Sequence, residues 1–260
     1  MTTQPAPRAV VVGRAAPAWR RVLALGGFET RMILRNGEQL LITLVLPVLV
    51  LVGLTRSTVI GISAEGSARI DFFAPGVIAL AVMSTSFTSQ AIATAFDRRN
   101  GVLRLLATTP LGRGGLLAGK WLGVLAVEAV QVVVIGGVAV GLGWHPELAG
   151  VPLALVGMLL GTAAFTACAL LMAGTLRAEG VLAVANLVLV LLAVGGGVVV
   201  PVDQLPGPVG HVARLLPSGA LGEALRGALV HGVLPVASVL VLLGWTAALS
   251  WGARRWFRWA

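Results

Sequence analysis

Residues 151–176 read VPLALVGMLLGTAAFTACALLMAGTL, a run without a charged side chain. About 20 predominantly apolar residues suffice to cross a bilayer as an α-helix, and this run is longer. A membrane β-strand would instead belong to a series of ~10-residue segments of alternating polarity. The run is apolar all round, and a helix satisfies its own backbone hydrogen bonds, as hydrocarbon demands. Five further runs share the pattern: residues 40–56, 72–96, 116–142, 180–200 and 233–252. Together they leave little chain for a soluble domain. Composition agrees: 57% of the residues are hydrophobic and 11% are charged, against roughly 25% charged in soluble domains, and the mean hydropathy is +0.96. The expected fold class is an all-α integral membrane protein with six transmembrane helices.

The formal net charge is +9, and its distribution speaks of topology. If the chain crosses six times, both termini share one side. That side holds fifteen of the nineteen Lys and Arg residues, and the other holds Arg56, Arg69, Arg214 and Arg226. Cytoplasmic loops carry the Lys/Arg excess, so both termini are expected in the cytoplasm. Nucleic acid is not an expected partner, because the cations are spread over loop ends with no aromatic stacking platform. No cleavable signal peptide is evident, since the first 39 residues carry six arginines and no long apolar run.

Between and beside the spans, four segments have their own character. Residues 1–18 read as a disordered cytoplasmic arm, and residues 19–260 as one membrane domain. Residues 19–39 mix Arg20, Arg21, Glu29, Arg31 and Arg35 with Val22, Leu25, Phe28, Met32 and Ile33, which suits an amphipathic helix lying in the membrane interface. Residues 201–231, with Pro201, Pro206, Pro208 and Pro217, are too polar to span and too apolar for a plain loop. A helical segment that dips into the outer leaflet and returns is expected between spans five and six. The tail RRWFRW, residues 254–259, reads as an aromatic and basic anchor.

Gly114, Gly119 and Lys120 fit the opening of a phosphate-binding loop, G-x-x-x-x-G-K. That loop needs Ser or Thr next, a preceding strand and an α/β domain. Trp121 follows instead, so no ATP site is expected on this chain. The wider stretch DRRNGVLRLLATTPLGRGGLLAGK, residues 97–120, is more informative. It resembles the cytoplasmic loop of type-2 ATP-binding-cassette (ABC-2) permeases of the multidrug/daunorubicin-exporter kind. The resemblance rests on Asp97, Arg98, Arg99, Gly101, Leu103, Leu106, Thr109, Pro110, Leu111, Arg113, Gly119 and Lys120, and on the layout from residue 19 onward. Arg104 departs from it, because relatives often carry an acid there.

The resemblance implies a permease subunit of an ATP-driven exporter in a bacterial inner membrane. Its partners would be two copies of an ABC ATPase subunit, which hold the ATP and Mg²⁺, a second permease subunit, identical or paralogous, and membrane lipid. Residues 97–120 would form a coupling loop that docks on the ATPase, with Asp97, Arg98, Arg99, Gly101, Leu105, Leu106, Thr109, Pro110 and Arg113 as the contributing positions. Leu103, Leu105 and Leu106 would give a short helix one apolar side, and Pro110 would end it.

Polar groups inside the spans are the candidates for a translocation path. Ser84, Ser86, Thr88 and Gln90 lie in the second span, Glu128 and Gln131 one turn apart in the third, and Asn186 in the fifth. Interhelical hydrogen bonding is the competing role, worth roughly 0.6 kcal/mol per pair. Gly157 and Gly161 form a G-x-x-x-G pair, a pattern for close helix approach. No catalytic residues and no metal site are expected: His145, His211 and His231 fall in outer loops, and Cys168 is the single cysteine. The small outer loops favour a hydrophobic or amphipathic small molecule, drug-like or lipid-like, as the cargo. A polysaccharide, glycolipid or peptide exporter, an ion-driven transporter and a non-transporting scaffold are the alternatives.

Overall fold

The computed structural model describes residues 15–37, 41–56, 69–200, 202 and 207–257. Among these the chain is helical without a strand. Helix α1 spans Ala18–Leu34. A π-helical turn at Leu41–Val45 leads into α2, Leu46–Arg56. Helix α3, Arg69–Met83, continues through a second π turn, Ser84–Ser89, into α4, Gln90–Arg99. Short α5, Val102–Ala107, is followed by α6, Gly112–Gly141. Then come α7, Val151–Thr175, and α8, Ala178–Gly195. The last three are α9, Gly207–Leu215, α10, Pro217–His231, and α11, Val236–Trp256.

Five helices among the described residues are long and apolar enough to cross a membrane: Arg69–Arg99, Gly114–Gly141, Leu148–Thr175, Ala178–Gly195 and Val236–Trp256. Their faces away from the core carry exposed Val, Leu and Trp side chains, as lipid contact requires. The protein is therefore an all-α, multi-pass membrane protein. The first expected span differs. Its described apolar helix, Thr43–Arg56, has fourteen residues, about 21 Å at helical rise, against roughly 30 Å of hydrocarbon. Residues 38–40 lie outside the described residues, as do residues 1–14 of the expected disordered arm and residues 201 and 203–206 of the outer segment. The fifth span stops at Gly195, earlier than expected, where a run of three glycines begins and the next backbone bends.

The stretch at residues 151–176 turns out to be central. Helix α7 touches α4, α6, α10 and α11, and its contact with α11 is as extensive as that of α1 with α6. The main core gathers Phe73, Met83, Phe87, Ile135, Phe165, Leu221 and Leu225 from five of these elements. Small residues let the backbones meet. A Cβ on Gly161 would come within 2.7 Å of Leu221, and one on Gly157 within 3.2 Å of Ala224. The G-x-x-x-G pair thus seats α10 against α7. A second cluster, Leu25, Leu103, Leu116, Leu170, Ala253 and Phe257, closes the opposite end. It draws α1, α5 and the end of α11 together, so both described ends of the chain lie at one end of the bundle.

Candidate functional site

Asp97–Lys120 was expected to be one cytoplasmic loop. The structure shortens it, because α4 runs to Arg99 and α6 starts at Gly112. The connection between them is built around α5. Gly101 adopts φ +79°, the left-handed conformation that lets a helix end and the chain turn away. Gly112, at φ +67°, makes the return turn. Thr108 and Thr109 donate to the carbonyls of Leu105 and Leu106 at 2.7 and 2.6 Å, which caps the end of α5 just before Pro110.

The three leucines do not share one side of α5. Leu103 is fully buried in the cluster with Leu25 and Leu116, while Leu105 is 70% exposed and Leu106 lies between. Positions 103 and 105 are about 200° apart on a helix. One leucine therefore anchors α5 and the other is presented outward. Beside Leu105, a groove of about 450 Å³ opens between α1 and α5. Its walls are mainly apolar, with Phe28, Met32, Val102 and Leu106 among them. Arg21, Glu29 and Asp97 add polar groups, and the Nε and Nη1 atoms of Arg21 are buried there without a hydrogen-bond partner.

Of the basic residues in this segment, Arg98 donates to the carbonyl of Leu176, and Arg99 forms a 2.6 Å ion pair with Glu179 while stacking over Phe96. Arg98 thus ties the end of α4 to the turn after α7, and Arg99 ties it to the first turn of α8. The side chain of Arg113 lies outside the described residues. Lys120, expected among the loop cations, lies inside α6 and is fully buried. Its Nζ donates to Glu29 Oε1 at 2.7 Å and to Asp97 Oδ2 at 3.2 Å. Three elements, α1, α4 and α6, therefore meet at one ammonium group. The crossing is tight because a Cβ on Gly119 would lie 2.6 Å from Leu25, and one on Gly123 2.7 Å from the Glu29 Cβ.

A second polar group sits halfway along the spans. Glu128 is fully buried, and its Oε2 accepts a hydrogen bond from Thr162 of α7 at 2.6 Å. Gln131 accepts from Thr85 at 3.1 Å and donates to the carbonyl of Thr43 at 2.9 Å. It thereby bridges the two π turns, where the helical ladder departs from its usual spacing. Thr88 and Gln90 are buried nearby in sequence, with Thr88 Oγ1 and Gln90 Oε1 unpartnered, whereas Ser86 bonds back to the Val82 carbonyl and Ser84 is half-buried. Asn186 stands apart: it is exposed on α8 and donates to Leu182 of its own helix.

The sequence singles out Glu128, Gln131 and the polar stretch 84–90 that contains Thr85, but not the partners Thr43 and Thr162. No sequence signal pairs such hydroxyls across helices. We expect Gln131→Leu to lower stability by about 1 kcal/mol, from two interhelical bonds of roughly 0.6 kcal/mol each. The shift would be read from unfolding in detergent, and an unchanged midpoint would mean that the bridge contributes nothing.

Residues 20–230, which include both polar sites, match the family model described as ABC-2 type transporter. Among curated proteins, none matches the chain.

Proposed function

From the premise that this chain belongs to the ABC-2 type transporter family, and is thus a membrane permease of an ABC transporter, we propose that it serves an exporter driven by a separate ATPase subunit. Two ATPase copies would bind ATP and Mg²⁺. Two permease subunits, identical or paralogous, would enclose the path. The end of the bundle holding α1, α5 and the end of α11 would face the cytoplasm of a bacterial cell, which accords with the excess of Lys and Arg at that end. The cargo would be a hydrophobic or amphipathic small molecule, in keeping with spans that are apolar over most of their length.

The groove between α1 and α5 is the observation that carries the reading. It combines an outward leucine, apolar walls and an arginine with buried, unpartnered nitrogens. An apolar side chain of the ATPase would enter beside Val102 and Leu105, and a carboxylate next to it would satisfy Arg21. Movement of the ATPase would then reach the spans by two links. Leu103 holds α5 in the core, and Asp97 is bound through Lys120 to α1 and α6. Transport follows if the ATP-bound and ATP-free ATPases favour different arrangements of these helices.

The reading is tested by purifying the tagged chain from its native membrane and identifying what accompanies it. A polypeptide with a complete Walker-type ATPase site is the expected companion. Leu105→Glu should reduce its recovery roughly tenfold or more, the cost of burying an unpaired carboxylate, with the permease itself still inserted. Recovery of the ATPase with Leu105→Glu at the wild-type level would place the contact elsewhere.

A further inference from the structure

The end of α1 carries a basic surface beside the coupling groove, with which it shares Phe28 and Met32. Arg31 and Arg35 form one i, i+4 ridge, and Phe28 and Met32 form another. Together with Asn36 and Gly37 they line an open pocket of about 570 Å³. No carboxylate is among its described lining residues. At the same end of the bundle other cations are already satisfied: Lys120 by Glu29 and Asp97, Arg98 by the Leu176 carbonyl, and Arg99 by Glu179. Among the described residues the guanidinium groups of Arg31 and Arg35 have neither an ion pair nor a hydrogen bond.

We propose that this pocket binds the headgroup of an anionic phospholipid. The two guanidinium forks match a phosphodiester, which accepts two hydrogen bonds from each fork. Phe28 and Met32 lie one turn back along the same helix, where the glycerol and the first methylenes of an acyl chain would rest. The place is apt. The pocket sits at the end of α1, a few residues before the apolar segment Leu41–Arg56 in the sequence, which places it at the level of the membrane surface. A free phosphate would use the arginines but leave the apolar ridge uncovered, so a lipid is the occupant that uses both.

The test is lipid retention. The protein is reconstituted with equal phosphatidylglycerol and phosphatidylcholine, then stripped gently and weighed by native mass spectrometry. The wild type should keep phosphatidylglycerol in preference. Arg31→Gln with Arg35→Gln should reduce that retention roughly tenfold or more, since it removes the charge-assisted, two-pronged hydrogen bonds to the phosphodiester. Arg104→Gln with Arg255→Gln removes the same charge from the same end and should leave retention as it was. Equal retention by the Arg31/Arg35 variant would overturn the proposal. So would an equal loss in the control, which would mean diffuse surface charge, or displacement of the lipid by inorganic phosphate, which would mean a free-anion site. Both arginines are exposed, so their loss leaves no buried group unpaired and the fold intact.

Discussion

Lys120→Met is expected to destabilise the membrane domain by about 3–5 kcal/mol, the range for breaking a buried ion pair by removing one partner. The ammonium is fully buried and Glu29 almost so, and Asp97 completes the group at 3.2 Å. Methionine fills the space but donates nothing. Two carboxylates would then face each other across a tight helix crossing, where Gly119 and Gly123 draw α6 against α1 and Glu29 is almost fully buried. The cost should fall when the acids are removed as well. Lys120→Met combined with Glu29→Gln and Asp97→Asn should recover most of the loss, because replacing a whole buried ionic group by neutral residues is often nearly neutral. Unfolding in detergent measures both. A single variant within about 1 kcal/mol of the wild type would show that the three charges are solvated in the bilayer interface, not buried.

Helix α1 shows how much of this was legible. Val22, Leu25, Glu29 and Ile33 recur at helical spacing, so Glu29 lay on the buried stripe in the sequence itself. An interfacial assignment of the whole helix makes it one of several surface charges. Lys120 escapes for a related reason. Counting cations by side treats each Lys and Arg near a span end as solvated, and the count has no term for one that lies two turns inside α6. The flanking Gly119 and Gly123 were the available sign that another helix comes close.

The membrane class and the helical runs were readable because lipid imposes length and apolarity directly. The short first helix and the two π turns were not: LITLV is ordinary for a span, and the hydroxyls of STSFTS mark polarity without recording a change of helical pitch. Which hydroxyl meets which amide depends on how α3, α6 and α7 rotate against one another. That is settled by packing across the core, and no local pattern records it. The same holds for Leu103 and Leu105, both apolar, of which tertiary contact buries one and leaves the other exposed.

Arg226→Met should loosen the end of the bundle that holds α10 by about 2–6 kcal/mol, from two buried carbonyls left without donors at about 1–3 kcal/mol each. Arg226 is nearly buried in α10. Its Nη1 donates to the Val198 carbonyl at 2.9 Å, and its Nη2 to Gly197 and to Glu223. The two carbonyls belong to the chain just beyond α8, where Gly196, Gly197 and Val198 are buried. The helix ladder has ended there and supplies no partner. The guanidinium therefore substitutes for the missing turn and staples α10 to the end of α8. The effect should be local as well as large. Hydrogen exchange should rise in residues 195–200 and 207–231, while amides of α1 and the first turns of α6 keep their protection. Arg226→Lys retains the charge but reaches fewer acceptors, so it should restore about half of the loss. If exchange in α9 and α10 stayed at the wild-type level in Arg226→Met, the outer segment would be held by its apolar contacts with α3, α7 and α11 alone.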